Sequence, residues 1–172
     1  MVKLRRAGPA DLARIDSVER ASFDINRFEP DLIEMILGHD DFVTWLAEEG
    51  ECIGYASLLH VDRDMVYRLI SIAVLPEWRG HGVGQALLEK VKIFVEEDGG
   101  SKLTLEVRIS NVPAINLYLR SGFRIKGMMK AYYTRSSLGG AEDALYMVYE
   151  PGKRDSLVTP SREGERDGLR AV

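Results

Sequence analysis

The sequence predicts one mixed α/β domain, a central sheet of about seven strands with about four helices packed on it. Three observations carry that expectation. Strand-patterned and helix-patterned segments follow one another in the order β-α-α-β-β-β-α-β-α-β-β. Gly and Pro punctuate most of the boundaries. A chain of 172 residues, 45% apolar and 29% charged, is long enough to bury a proper core without staples.

Residues 2–6 read as a short first strand. Gly8-Pro9 then opens a helix, with proline at an early position where its missing N–H costs nothing. Leu12, Ile15, Val18 and Ser22 share one face at helical spacing, and Asp11, Asp16 and Glu19 are expected to point elsewhere. Residues 23–29 make a loop unusually aromatic for its length. A second helix runs from about Pro30 through Leu37 and stops at Gly38. Residues 42–47 and 52–60 read as a hairpin about the Glu49-Gly50-Glu51 turn. The next strand, 65–75, is antiparallel to its predecessor if the Asp62-Arg63-Asp64 turn holds.

Residues 82–97 place Val83, Leu87, Val91, Phe94 and Val95 on one stripe, with Gln85, Glu89, Lys90 and Lys92 outward, as an amphipathic helix does. In the strand 102–109, Leu103, Leu105, Val107 and Ile109 alternate with Thr104, Glu106 and Arg108. Ser110 or Asn111 caps the following helix, which carries Pro113 in its first turn and ends at Ser121-Gly122. Residues 123 to about 134 and 144–149 complete the sheet. Past Glu150 the apolar pattern fails, so residues 1–150 form the domain and 151–172 read as a polar, mobile tail.

Composition excludes several functions. The formal charge of −4 implies no general basic surface for nucleic acid. Cys52 is the single cysteine, so no intramolecular disulfide forms; at the start of a strand it reads as a small buried hydrophobe rather than a nucleophile. His39, His60 and His81 lack ligand spacing, and no metal is expected. With no secretory leader and no bilayer-length apolar run, a cytoplasmic protein without membrane attachment is expected.

The chemistry begins at Arg79-Gly80-His81-Gly82-Val83-Gly84, which follows an apolar strand and leads into a helix. The first N–H groups of a helix have no intrahelical partner and sit at the positive end of its dipole, so a glycine-rich entry makes an anion site. The loop lacks the Lys-Ser/Thr continuation of a P-loop, and the chain lacks the alternating units of a dinucleotide fold.

A second string, Leu105-Glu106-Val107-Arg108-Ile109-Ser110-Asn111, followed by Ala114-Ile115, Leu117-Tyr118 and Gly122-Phe123, sharpens the reading. The segment from Ile72-Ala73-Val74 through the glycine loop resembles the acetyl-CoA motif of the GNAT superfamily. The second string resembles a narrower group within it, the N-terminal (Nα) protein acetyltransferases. Tyr132-Tyr133 followed by Glu142-Asp143-Ala144 is a third match to that group. The likeness spans residues 2–149 and implies a largely antiparallel, twisted GNAT sheet.

It also implies that acetyl-CoA is the co-substrate. Backbone amides of Gly80, His81, Gly82, Val83, Gly84 and Gln85, beside Arg79, would bind its pyrophosphate. The strand edge at Ile72, Ala73 and Val74 would hold the pantetheine, and Asn111 would either contact the cofactor or merely cap its helix. Glu106 is the implied general base and Tyr118 the implied general acid. The bland alternatives are an exposed strand glutamate paired with Arg108 or Lys102, and a tyrosine packed against the sheet.

An α-amino group has a pKa of about 7.7–8.0 and lysine about 10.4, so a carboxylate relaying a proton through water suits the first far better. The resemblance of the second and third strings implies protein N-termini as the acceptors, with an auxiliary or ribosome-associated subunit as a partner. A lysine side chain or small amine, and a non-catalytic acetyl-CoA-binding subunit, are the alternatives. Phe23, Arg27, Phe28, Tyr132 and Tyr133 are the expected acceptor-binding residues, with one of the two tyrosines facing away because strand neighbours alternate. Many relatives carry a Leu-Pro-Glu-Asn-Tyr-like segment where this chain has Ile25-Asn26-Arg27-Phe28. Arg27 would then tolerate an acidic first or second acceptor residue. The stretch between Thr134 and Ala141 is either a lid or a slack hairpin loop.

Overall fold

In the computed structural model, which describes residues 1–61, 64–134 and 139–152, a seven-stranded sheet carries four α-helices and two short 3-10 turns. The strands are β1 (Lys3–Arg6), β2 (Phe42–Glu49), β3 (Glu51–His60), β4 (Val66–Val74), β5 (Lys102–Arg108), β6 (Arg124–Tyr133) and β7 (Glu142–Tyr149). The helices are α1 (Leu12–Ser22), α2 (Pro30–Gly38), α3 (Val83–Glu97) and α4 (Val112–Arg120). The sheet order is β1-β2-β3-β4-β5-β7-β6, antiparallel throughout except between β4 and β5. The mixed, largely antiparallel sheet expected from the sequence is the one observed. The tail expected from 151 onward lies, from residue 153, outside the described residues, as do positions 62–63 and 135–138 of the two expected loops.

Helices cover both faces. Val83, Leu87, Val91 and Val95 of α3 and Tyr118 of α4 pack with Val43, Ala47, Leu58, Leu105 and Met147 in the larger core. Ile15 and Val18 of α1 and Ile33 of α2 pack on Leu46, Tyr55 and Ala73 on the other face. Alternation along β2, with Leu46 in one core and Ala47 in the other, follows from the two-residue period of a strand. Pro9 opens a 3-10 turn (Pro9–Asp11) before α1 rather than the helix itself.

Two charged residues expected to point outward are buried. Asp11 accepts from both terminal nitrogens of Arg5 at 2.9 and 2.8 Å and from the Gly8 N–H at 3.0 Å. The Arg5 guanidinium holds its carboxyl down at about 2. Glu19 is only 1% exposed. Standing four residues after Ile15, it lies on the same face of α1, so the helical period itself carries it inward.

The feature that makes a site is where β4 leaves β5. Their parallel pairing covers only Val66, Tyr67 and Arg68, ending at Arg68 opposite Thr104. On its other edge β4 carries a bulge, since Ser57 pairs with Ser71 but Leu58 pairs with Leu69, leaving Ile70 over. A bulge increases local twist and bends its strand. Beyond it, β4 and β5 separate and a cleft opens between them.

Gly54 on β3 fixes how close β4 lies on its other side. A Cβ there would stand 2.7 Å from the Ala73 carbonyl oxygen and 3.4 Å from Leu87 Cδ1. Gly54→Ala is therefore expected to cost about 1–3 kcal/mol in denaturant unfolding, because backbone cannot yield as a flexible side chain can. A loss below about 0.5 kcal/mol would show that the β3–β4 spacing adjusts freely.

Candidate active site

Two joined chambers occupy the cleft and share Phe23, Ile72, Asn111 and Tyr118. The larger, about 700 Å³, runs from Ile72, Ala73 and Val74 to Arg79, Gly80, Gly82, Gly84 and Gln85, with α4 as its other wall. Gly80 and Gly82 have φ of 78° and 81°, a left-handed conformation that glycine adopts without strain. They turn the chain from β4 into α3 so that the first amides of the helix face one place. Gly82 is the N-cap of α3, and these amides lack intrahelical acceptors, which makes the end of the chamber an anion cradle.

The side chains of this loop have separate duties. Arg79 donates to the carbonyls of Val74 at 3.1 Å and Ser22 at 3.5 Å, tying the loop to the end of β4 and to α1. His81 Nδ1 lies 3.0 Å from the Arg79 carbonyl and the ring is exposed. Val83 is buried in the core, so only its backbone is available to an anion. Asn111 caps α4 by accepting from the Ala114 N–H at 3.3 Å and also lines both chambers, so capping does not take it out of the cleft.

The smaller chamber, about 330 Å³, holds the expected catalytic pair. Glu106 and Tyr118 both line it, together with Glu19, Phe28, Ser71 and Tyr133. Glu106 pairs with neither Arg108 nor Lys102. Its partner is Arg68 on β4, whose Nε and Nη2 reach the same oxygen, Oε2, at 2.9 and 2.7 Å. Both contacts fall on Oε2, which leaves Oε1 as the acceptor for a further proton. Arg68 also donates to the Tyr132 hydroxyl at 2.6 Å and so joins β4, β5 and β6 across the cleft.

Tyr118 is 6% exposed and packs against Phe123 with ring centroids 5.7 Å apart. Burial pushes its phenol well above the usual range, with Tyr133 adding to the effect. The hydroxyl is therefore protonated throughout the neutral range, as a proton donor must be.

The expectation that one of the two tyrosines faces away is corrected. Both line a further recess of about 320 Å³ with Phe28, Arg68 and Glu106, and their rings meet edge-to-face at 5.0 Å. Strand alternation fails because Ala131 has a φ of 50° and the β6–β7 register slips between Met129 and Tyr133. Asp143 accepts from the Ala131 N–H at 2.8 Å and holds that irregular backbone. The Tyr133 hydroxyl donates to the Glu106 carbonyl at 3.2 Å, and burial pushes it up to about 12. Arg108 stacks 3.9 Å from the Tyr133 ring centroid and pairs with Glu142 at 2.9 Å. Glu142 also accepts from the Ser110 N–H at 3.0 Å. Hydrogen bonding to Ser110 is the main cause that draws its carboxyl below the usual range.

On the opposite wall Phe23 and Phe28 line the cleft, with Ile25 and Asn26 between them. Arg27 turns to Glu29 at 3.3 Å and stands beside the cleft rather than in its lining. Cys52 is half-buried, donates weakly to the Gly54 carbonyl at 3.6 Å, and has its thiol pushed up by burial. Arg68, Glu19, Glu142 and Asp143 are site-building residues that sequence reasoning left without a role. Glu142 and Asp143 stand in the third motif match and Glu19 at i+4 from a core isoleucine, whereas Arg68 carried no local signal.

The acetyltransferase (GNAT) family model matches residues 12–123. An N-alpha-acetyltransferase of Sulfurisphaera tokodaii is 30% identical over 157 residues, 85% of this chain and 91% of that protein. The crystal structure of the ribosomal-protein-S18-alanine N-acetyltransferase from Escherichia coli superposes with a TM-score of 0.80. It is 26% identical and covers 92% of this chain and 99% of its own. Arabidopsis thaliana NAA60 in complex with acetyl-CoA shares the fold, with a TM-score of 0.74 and 23% identity over 89% of this chain and 100% of its own. A strand pair that parts at a bulge, a glycine-loop anion cradle at one end of the gap and these matches agree: the chain belongs to the GNAT family of acetyl-CoA-dependent N-acetyltransferases.

Proposed function

We propose that this enzyme transfers the acetyl group of acetyl-CoA to the α-amino group of protein N-termini in the cytoplasm, with residues 1–150 as the catalytic domain. The observation that carries the reading is that Glu106 and Tyr118 line one chamber, which opens between the Phe23–Phe28 wall and Tyr133. The names of the Sulfurisphaera and E. coli relatives, both acting on α-amino groups, support the same acceptor class.

The residues divide the work by position. The amides of residues 80–85 and the unpaired edge of β4 at Ile72–Val74 fit a pyrophosphate and an amide-bearing arm; acetyl-CoA, when bound, supplies the thioester carbonyl. Glu106, held by Arg68 and by the Tyr133 bond to its backbone, receives the proton of the attacking amine, directly or through water. Tyr118 offers its hydroxyl proton to the departing sulfur. Phe23, Phe28, Tyr132 and Tyr133 flank the acceptor backbone. An auxiliary subunit would select which chains reach this open side.

Thiol release with a panel of short peptides tests the reading, using free N-termini with varied first and second residues and one N-blocked peptide with an internal lysine. Turnover confined to free N-termini is the expected result. Acetylation of the blocked peptide would move the acceptor to lysine. Silence with acetyl-CoA bound would move it to a small amine. In the same panel Arg27→Glu tests the loop: its position outside the lining predicts an unchanged ranking of acidic peptides.

A further inference from the structure

A second carboxylate reaches the catalytic chamber, and the mechanism above does not use it. Glu19 lies under the chamber floor, 1% exposed, and lines the space shared with Glu106 and Tyr118. A carboxyl group so buried is retained only where partners satisfy it. Glu19 has two: Oε2 accepts from the backbone N–H of Phe28 at 2.6 Å, and Oε1 accepts from the Tyr55 hydroxyl. Burial pushes its carboxyl above the usual range, and these bonds act against that rise. The Tyr55 and Ser71 hydroxyls meet at 2.7 Å.

Those partners come from different parts of the machine. Phe28 is the penultimate residue of the loop between α1 and α2 that walls the acceptor side. Ser71 stands on β4 directly after the bulge residue Ile70. Tyr55 belongs to β3, the strand against which β4 is registered. One side chain therefore ties the acceptor wall to the strand that opens the cleft. The tie acts on a loop that crosses a left-handed residue, Asn26, with φ of 62°, and joins two helices through seven residues without regular structure, beside the packing of Phe23 and Phe28 on the core.

We propose that Glu19 is a positioning residue for the acceptor: its buried carboxylate clamps the Phe28 amide to β3 and β4 and so holds the α1–α2 loop in binding register. It acts through the loop and takes no proton from the substrate. The inference rests on the peptide-acceptor reading for its kinetic consequence, but not for its structural one.

Glu19→Gln and Glu19→Met separate this role from its rivals. Glutamine keeps an oxygen for the Phe28 N–H, and its amide group can donate to the Tyr55 oxygen while Tyr55 donates to Ser71. Methionine fills the same volume with no acceptor, which avoids an uncompensated charge and preserves folding. Hydrogen exchange at the Phe28 amide reads the clamp without any substrate. The expected result is protection in wild type and Glu19→Gln, and loss of protection in Glu19→Met, with the core strands protected in all three.

In steady-state kinetics Glu19→Met is expected to raise the peptide KM about tenfold or more, with kcat and acetyl-CoA affinity within about threefold of wild type, and Glu19→Gln to restore KM. A Glu19→Gln variant that loses kcat and shifts the pH–rate profile would overturn the proposal by making Glu19 a proton acceptor. Unchanged Phe28 exchange in Glu19→Met would overturn it by showing the loop is held otherwise. If wild type acetylates a small amine and no peptide, the acceptor reading falls while the exchange experiment still decides the clamp.

Discussion

Glu106→Gln is expected to lower kcat for peptide acetylation about 10²–10³-fold while leaving acetyl-CoA affinity within about threefold of wild type. The substitution is nearly isosteric, and the amide oxygen can still accept from Arg68, so the ion pair is replaced by a neutral hydrogen bond rather than a void. What disappears is the proton acceptor. Peptides whose α-amino group is already partly neutral near pH 8 retain a background rate, so the deficit is expected to narrow as pH rises toward 9. Single-turnover acetyl transfer at several pH values checks both statements. A loss below about fivefold at pH 7 would reduce Glu106 to one end of a structural ion pair.

The Arg68 contact bears directly on this outcome. A guanidinium bound to one carboxylate oxygen fixes the Glu106 rotamer, so the carboxylate is aimed before the substrate arrives. Held by two contacts to Oε2, it retains Oε1 for chemistry. A carboxylate oriented in this way suits an α-amino group, which, unlike a lysine, asks for little proton affinity.

The elements were legible because their signals are local. The alternation of Leu103, Leu105 and Val107, the α3 stripe and the Asn111-Val112-Pro113 helix start each state their structure within a few residues. The glycine loop and the Glu106–Tyr118 pair were singled out by resemblance, and they line the two adjoining chambers of one cleft. Three features were not legible, for one physical reason. The parting of β4 from β5 depends on an unpaired Ile70 that only strand registration reveals. Arg68 meets Glu106 across a parallel neighbour, 38 residues away in sequence. Tyr132 and Tyr133 share a side because Ala131 and Asp143 break a period that the sequence alone suggests is intact. Each is a long-range pairing, and a local pattern carries no record of its partner. Glu19 differs. Its place four residues after Ile15 already pointed inward, and its charge argued more loudly than its spacing.

Tyr118→Phe is expected to reduce single-turnover transfer about 10²-fold with acetyl-CoA affinity little changed. Phenylalanine preserves the packing against Phe123, so the loss reports the hydroxyl and not the fold. Because burial raises the Tyr118 phenol above its ordinary value, its protonated form persists beyond pH 10 and is lost only as pH climbs through the raised folded value. The wild-type kcat/KM for a peptide N-terminus should then rise with amine deprotonation, level off near pH 9 and stay level to about pH 10. The same rise in pKa makes complete transfer of the proton to a thiolate, whose ordinary value is about 8.5, uphill. The hydroxyl therefore serves chiefly as a hydrogen-bond donor to sulfur as negative charge develops there, and its effect scales with that charge. An acyl donor whose leaving thiol is more acidic should accordingly narrow the gap between Tyr118→Phe and wild type. An equal gap for both donors would place Tyr118 in packing or cofactor positioning instead, and a rate that falls well below pH 10 in wild type but not in the variant would show that its hydroxyl ionises more easily than its burial allows.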